Sequence, residues 1–412
     1  MGEVLAFGEV VLVVACGLAL ALGALRLTRW FPVPGPALFL GAGTLAAYLF
    51  PALASHLSVR TVERIAVVAL ILILFEGGMH VGWRRFRRAV VPISALGTVG
   101  TLGTGFVVAV FAHYLFGFAW TSAAIVGAAL SPTDPAVMFS ILGNREVGGR
   151  SGTILEGESG ANDPVSIALM ISVVQYSNSA HGSVWHGIGT FVLAMGVGGA
   201  VGIAGALILV PLMRHTSLPS EGLYPLRTLA AALLLYGLAT IGHGSGFLAV
   251  FIAGLVVGDV RAPYKVEVER FHKSLASLAE ITVFAVLGVT VQLSLIGQRS
   301  VWLDGLLLAI LLAFVARTVV VAPLLAPVRL RLGERIFISW GGLKGAVPIL
   351  LGTLAVEQAA PGAERIYGIV YVVVLFSVVV QGTSLPLVAQ RFRIPMRRVE
   401  REPLTTQRAP QS

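Results

Sequence analysis

Apolar runs of bilayer length follow one another through nearly the whole chain, and this repetition decides what it can fold into. About 20 residues rising ~1.5 Å each cross a hydrocarbon core. Thirteen runs of roughly that size can be marked, near 4–25, 36–54, 63–79, 89–114, 119–142, 153–176, 186–213, 224–242, 244–259, 274–295, 301–325, 335–356 and 366–390. Of the 412 residues 12% are charged and 56% hydrophobic, with a mean hydropathy of +0.89. Soluble proteins carry about 25% charged residues. A deficit spread over the whole length predicts an all-α polytopic membrane protein and excludes one large soluble core.

The formal charge of +9 could suggest a nucleic-acid partner, but the positive residues follow topology instead. With the N-terminus outside, 23 of the 29 basic residues fall in cytoplasmic loops or the tail and only Arg60, Arg64, Arg299 and Arg365 lie outside. That is the positive-inside bias. It predicts a multi-pass protein of the plasma (inner) membrane, N-terminus outside and C-terminus cytoplasmic, with the lipid bilayer and no nucleic acid as partner. The single Cys16 can form neither an intrachain disulfide nor a metal site. Gly2 and Glu3 are no basic n-region, so no cleavable signal peptide is expected. Loops are short, residues 1–390 read as one transmembrane domain, and 391–412 as a basic tail expected to be disordered.

Thirteen spans suit an inverted repeat. If spans 1–6 and 8–13 are two six-helix units, each helix matches the one seven later in opposite orientation. The matched spans 5 and 12 are both interrupted: Pro132 and Pro135 flank Thr133-Asp134, and Gly341, Gly342, Gly345 and Pro348 surround Lys344. Broken helices near the midplane are where secondary transporters hold ions. Small residues elsewhere (Gly97, Gly100, Gly103, Gly105, Gly198, Gly202) are read as close helix packing.

Charge inside hydrocarbon is expensive and marks ion paths by default. Counting residues from the turn near 143–152 puts Asp134 and Asp163 roughly 12–15 Å deep, with Arg317 and Lys344 at a similar level. Span 6 carries Glu158, Asn162 and Ser166 at i, i+4, i+8, with Ser159 and Asp163 beside them. Such an oxygen-rich stripe suits a hard monovalent cation. A carboxylate that must hold either a proton or a cation makes the two compete, so Asp163 with alternating access would exchange one for the other. Asp163 follows Asn162 rather than a second acid, so a 1:1 electroneutral cycle is the simplest expectation. Glu158 is read as pairing with Arg317, with direct cation ligation as the alternative. Asp134 and Lys344 are read as offsetting the partial charges of the broken helix ends, and Thr133 as a possible oxygen ligand. Glu156 and Glu76 read as funnel or interfacial charges; Glu280 and Asp259 have no assignment.

Ser131-Pro-Thr133-Asp134-Pro, Glu158-Ser-Gly-Ala-Asn162-Asp163-Pro and Gly341-Gly-Leu-Lys344-Gly-Ala-Val resemble the bacterial NhaP-type and eukaryotic sodium/proton exchanger family of cation/proton antiporters. Leu74-Phe-Glu76-Gly-Gly and Gly244–Gly254 resemble it too. The resemblance implies exchange of Na⁺, K⁺ or Li⁺ for H⁺ without a cofactor, thirteen helices and a homodimer. It also implies a core (approximately 86–176 and 301–390) moving against a dimerisation part (approximately 1–85 and 224–295), with a linker helix near 186–213. In the family the Asp matching Asp163 is the ion and proton carrier. The residues matching Thr133, Glu158 and Ser159 lie at the cation, and Asn162 ties the broken helix to span 6. Lys344 stands where the family commonly has Arg, losing a fork of hydrogen bonds. No cytoplasmic regulatory domain is expected after the last span.

Three other readings compete. Gly157-Glu158-Ser159-Gly160 matches an intramembrane serine protease motif, with His243 as its base. An organic-anion transporter would prefer basic groups at the broken helices and no oxygen stripe, and the acids at Asp134, Glu158 and Asp163 argue against it. A channel or cation sensor could share the scaffold but would show no stoichiometric counter-transport.

Overall fold

The computed structural model describes residues 17, 19, 21–23, 33–49, 58–142, 145–178, 184–291 and 293–398. Span 1 with Cys16, apart from five residues, and the tail from 399 lie outside the described residues. The main helices are α1 (Gly35–Leu49), α2 (Val59–Val81), α3 (Trp83–Arg88), α4 (Val90–Phe116), α5 (Trp120–Leu130), α6 (Pro135–Leu142), α7 (Gly149–Asn178) and α8 (Val184–His215). They continue as α9 (Leu223–Ile241), α10 (Gly246–Gly258), α11 (Lys265–Val289), α12 (Arg299–Leu325), α13 (Leu332–Trp340), α14 (Ala346–Glu357) and α15 (Ala363–Arg391). Among the described residues seven helices are long and apolar enough to cross a membrane, and four shorter apolar ones accompany them. Helix α7 spans 30 residues and carries Glu156, Glu158 and Asp163.

Packing falls into two sets. Helices α1, α2, α9, α10 and α11 pack on one another, with α8 against α10. Helices α4, α5 and α7 form the second set with α12, α14 and α15. Glycines set the closest approaches. A Cβ on Gly78 of α2 would sit 2.6 Å from Phe251 O of α10. Gly97, Gly103, Gly198 and Gly202 face neighbouring helices so closely that a Cβ would lie 2.5–2.9 Å away, whereas Gly100 has ordinary contact distance.

Two interruptions are legible as Gly/Pro breaks. Helix α5 stops at Leu130, residues 131–134 run non-helically, and α6 starts at Pro135, where a missing N–H costs nothing. Helix α13 stops at Trp340 and α14 starts at Ala346. Wide π-helical turns occur at Ala95–Gly100 in α4, Leu312–Ala316 in α12 and Ser377–Gly382 in α15, and nothing in the sequence announces them.

One expectation is corrected. The segment after residue 391 does not become irregular at once. Met396–Arg398 (β2) pairs antiparallel with Arg145–Val147 (β1), the turn between α6 and α7. Gly148 N donates to Pro395 O at 2.7 Å, and Arg331 Nη2 to Arg393 O at 3.3 Å. The pairing is made by backbone groups, which polar composition does not reveal.

Arg85 of the arginine-rich α3 meets Glu156 in the early turns of α7, just after the β1 turn, so α3 and β1 share one end of the helices, the basic face. Arg60 near the start of α2 meets Glu357 at the end of α14, at the other end of the 23-residue α2.

Candidate ion-binding site

The two breaks cross each other, and each supplies what the other lacks. Helix ends leave backbone groups without intrahelical partners and carry partial charge. Lys344 Nζ donates to Ser131 O at 3.1 Å and Pro132 O at 2.8 Å, just past the C-terminus of α5. Asp134 Oδ2 accepts from Ala346 N at 3.3 Å, at the N-terminus of α14, while its own N–H donates to Leu343 O at 2.7 Å. Asp134 also immediately precedes α6 in the chain. The backbone N–H of Lys344 donates to Ser377 Oγ at 2.9 Å, in the π turn of α15.

Arg317 closes the remaining helix end. Its Nε donates to Ser339 O at 2.9 Å and its Nη2 to Ile338 O at 3.3 Å, in the last turn of α13. The same Nη2 lies 2.8 Å from Glu158 Oε1. Gly342 and Gly345 are required by these contacts: a Cβ at the first would occupy the Arg317 guanidinium, and at the second the Asp134 carboxylate.

Helix α7 presents its polar stripe to this crossing. Asn162 Nδ2 donates to Thr133 Oγ1 at 2.6 Å, and Thr133 Oγ1 lies 3.1 Å from Ser159 Oγ. Asp163 stands within electrostatic reach of Asp134 and Lys344. Lys344 in turn feels Arg317, Glu158 and Asp163. Thr133, Glu158, Ser159, Asn162, Asp163, Arg317 and Lys344 are all buried, with exposures of 1–6%. Three acceptor oxygens on one stretch of α7 have no hydrogen-bond donor among the described residues: Glu158 Oε2, Asn162 Oδ1 and Asp163 Oδ1. A buried acceptor without a donor is costly, and these three oxygens lie together on one stretch of α7. Pro164 adds to the acceptor surplus, because it has no N–H to offer the carbonyl one turn earlier.

The other charged residues have separate places. Glu156 Oε2 accepts from Arg85 Nη2 at 3.2 Å on the basic face. Asp259 Oδ2 accepts from Arg84 N at 2.5 Å. Glu280, which had no assignment, is within electrostatic reach of Asp134 and Glu76. Its place in the sequence gives no sign of that neighbourhood. Ser377 was likewise missed, since a serine in an apolar span has no distinguishing spacing.

The rival chemistries lose their parts. Ser159 Oγ is bonded to Thr133, while His243 stands exposed in a turn bonded to Thr240 O. Lys344 and Arg317 are engaged by helix carbonyls, which leaves neither as a free receptor for an organic anion.

The chain is similar to known proteins along most of its length. The family described as "Sodium/hydrogen exchanger, transmembrane" matches residues 13–391. The K(+)/H(+) antiporter NhaP of Alkalimonas amylolytica is 35% identical over 332 residues, covering 80% of this chain and 57% of the relative. The K(+)/H(+) antiporter NhaP2 of Shewanella sp. (strain ANA-3) is 32% identical over 367 residues, 88% of this chain and 63% of the relative. The Na(+)/H(+) antiporter NhaH of Halobacillus dabanensis is 30% identical over 312 residues, 72% and 75% of the two chains. The chain thus spans about three fifths of the length of its first curated relatives. The sodium proton antiporter MjNhaP1 of Methanocaldococcus jannaschii superposes with a TM-score of 0.80 at 22% identity, covering 95% of this chain and 99% of that one. This chain belongs to the sodium/hydrogen exchanger family, as an NhaP-type member.

Proposed function

We propose that this protein is a secondary antiporter that exchanges a monovalent cation for H⁺ by alternating access, with the two competing for Asp163. The observation that carries the reading is the trio of donor-less buried oxygens on α7 beside two crossing helix breaks. The transported cation would sit on Asp163, Ser159 and Thr133, with Asn162 holding Thr133 in place. Glu158 would act through its pair with Arg317 rather than as a ligand. Asp134 and Lys344 would hold the helix breaks in register. Na⁺, K⁺ and Li⁺ remain the candidate cargo, since relatives named for K⁺ and for Na⁺ both match.

The second packing set, together with the short half-helices α6 and α13 at the two breaks, would be the moving core. Helices α1, α2 and α9–α11 would form the dimerisation scaffold, joined to it by the linker α8. The matched π turns of α4 and α12, seven spans apart, favour the inverted repeat over a chance likeness of Gly/Pro breaks. The basic face would be cytoplasmic in a bacterial inner membrane, and the protein would work as a homodimer.

Reconstituted vesicles test the reading. Purified protein should dissipate an imposed pH gradient on addition of one or more alkali cations, at a rate that a clamped voltage leaves unchanged. Asp163→Asn should abolish the response while eluting and melting like the wild type. Robust exchange by that variant would refute the carrier assignment.

A further inference from the structure

Helix α15 ends over a hollow. It has 29 residues, which at ~1.5 Å each make about 43 Å, the thickness of a bilayer together with its headgroups, about 40–45 Å. Its last turn therefore stands at headgroup depth, on the basic face where β2 pairs with β1. Earlier in α15 the contact with α6 is close: a Cβ on Gly382 would lie 2.7 Å from Ile141 Cδ1. Beyond that point the two helices part around a cavity of about 310 Å³, at the lower end of the range for small-ligand pockets. Ile141 and Leu142 of α6 form one wall, Pro386 and Ala389 of α15 the other, and Ile394 and Met396 close the end. Val380 and Leu387, seven residues apart on one face of α15, are exposed apolar residues, so hydrocarbon reaches the helix beside Pro386.

The two remaining lining residues are polar. Gln390 and Arg393 are exposed and stand at the cavity's rim. Among the described residues neither side chain has a hydrogen-bond or ion-pair partner. Both offer N–H donors, and no acid is among the lining residues. Arg393 also occupies an unfavourable backbone position, with φ at +50° in the left-handed region. Arg393 N donates to Gln390 O at 3.2 Å and Ile394 N to Ala389 O at 3.0 Å. These are the paired bonds that end a helix around a left-handed residue, usually Gly. Here that place carries a fixed positive charge, and Arg331 Nη2 holds the turn from outside through Arg393 O.

We propose that this cavity binds an anionic phospholipid, its phosphate held by Arg393 and Gln390 and an acyl chain lying between α6 and α15. Apolar walls alone would accept any lipid or detergent. A positive rim with free donors at headgroup depth selects a negatively charged headgroup. The occupant fills the gap beside the far end of α6, the half-helix that begins next to Asp134. It thereby braces one of the two broken segments from the membrane side. The inference rests on α15 crossing a bilayer, and not on which ion is exchanged or on Asp163 carrying it.

Thermal unfolding of the full chain, stripped of lipid in an uncharged detergent, reads the site. Added dioleoylphosphatidylglycerol should raise the melting temperature in a saturable way, whereas dioleoylphosphatidylcholine at the same concentration should not. Arg393→Gly suits the left-handed backbone. Without lipid it should melt at least as high as the wild type, yet it should need at least about tenfold more phosphatidylglycerol for the same rise. Ala389→Leu narrows the apolar part with the charge intact and should weaken the lipid effect too. Arg88→Gln, exposed on α3 of the same face and not lining the cavity, should respond as the wild type does. Equal stabilisation by the two lipids would overturn the proposal, as would a lipid effect unchanged in Arg393→Gly or in Ala389→Leu. A loss in Arg88→Gln equal to that in Arg393→Gly would reduce the effect to general surface charge and overturn it as well. So would inorganic phosphate or oleate that reproduced the whole rise, since neither is a phospholipid.

Discussion

Arg317 tests how the site is held together. Its guanidinium meets Glu158 Oε1 at 2.8 Å and Ser339 O at 2.9 Å, and the pair's side chains are 4% and 3% exposed. Solvent therefore screens neither charge, and the discount due to surface ion pairs does not apply. Replacing Arg317 by Met leaves Glu158 buried, with Oε2 already lacking a donor. Breaking a buried pair from one side costs about 3–5 kcal/mol, because the abandoned charge stays in place. Glu158→Gln is milder. The guanidinium keeps the carbonyls of Ile338 and Ser339, and the amide oxygen replaces Oε1. A loss of about 1–3 kcal/mol is expected, the scale of one impaired buried hydrogen bond.

The double variant separates pairing from bulk. With both charges gone, no uncompensated buried charge remains, while the carbonyls of Ile338 and Ser339 lose their donor equally in both Arg317→Met proteins, so the combined loss should fall short of the sum by at least ~1 kcal/mol. Unfolding in detergent, followed by heat or denaturant on all four proteins, gives this cycle. Gly342→Ala supplies an independent arm, since its methyl would occupy the guanidinium's place without removing either charge. It should be destabilised in the same way, and Glu158→Gln should soften that effect. Strict additivity in the cycle, or a Gly342→Ala protein as stable as wild type, would refute the structural pairing. If Glu158→Gln instead raised the cation KM with stability unchanged, Glu158 would be a ligand.

Three further outcomes are expected. Lys344→Met strands the carbonyls of Ser131 and Pro132, and should cost roughly 1–3 kcal/mol of stability; unfolding in detergent measures it, and Lys344→Arg should recover part. Gly345→Ala displaces the Asp134 carboxylate from Ala346 N, so exchange in vesicles should fall at least about tenfold, equivalent to ~1.4 kcal/mol of misplacement. Ser159→Ala and Thr133→Ala each remove one oxygen from the cation's surroundings. Each should raise the cation KM by about tenfold with kcat less affected, whereas a purely structural hydroxyl would lower yield and leave KM alone.

Much of the framework was legible because hydrocarbon imposes length. Helix breaks in spans 5 and 12 stood out as Gly and Pro in the middle of apolar runs, and counting from the 143–152 turn put Asp134, Asp163, Arg317 and Lys344 at one depth. What counting could not supply was the choice of partner. Lys344 binds two backbone carbonyls, and carbonyls are the same in every residue. Arg317 pairs with Glu158 but spends two more contacts on α13, which no spacing encodes. The π turns follow from how hydrogen bonds slip within a helix, and the β1–β2 pairing uses backbone groups of segments more than two hundred residues apart.

The arrangement of buried charge also bears on why exchange would be obligatory. Arg317 and Glu158 cancel as a pair, and Lys344 and Asp134, each bound to helix ends, cancel as a second. On the proposed mechanism the charge left over within the core would be that of Asp163, with Glu280 of α11 across the boundary in reach of Asp134. An empty core is then an anion, and moving it through a region of low dielectric carries a penalty of several kcal/mol. Binding one proton removes the charge, and so does binding one monovalent cation. On the proposed mechanism either loaded form would cross and the empty form would be held back. A divalent ion would leave the core with a surplus positive charge and meet the same barrier. On this reading the coupling needs no separate device, because neutrality is both the condition for crossing and the rule that sets one cation against one proton.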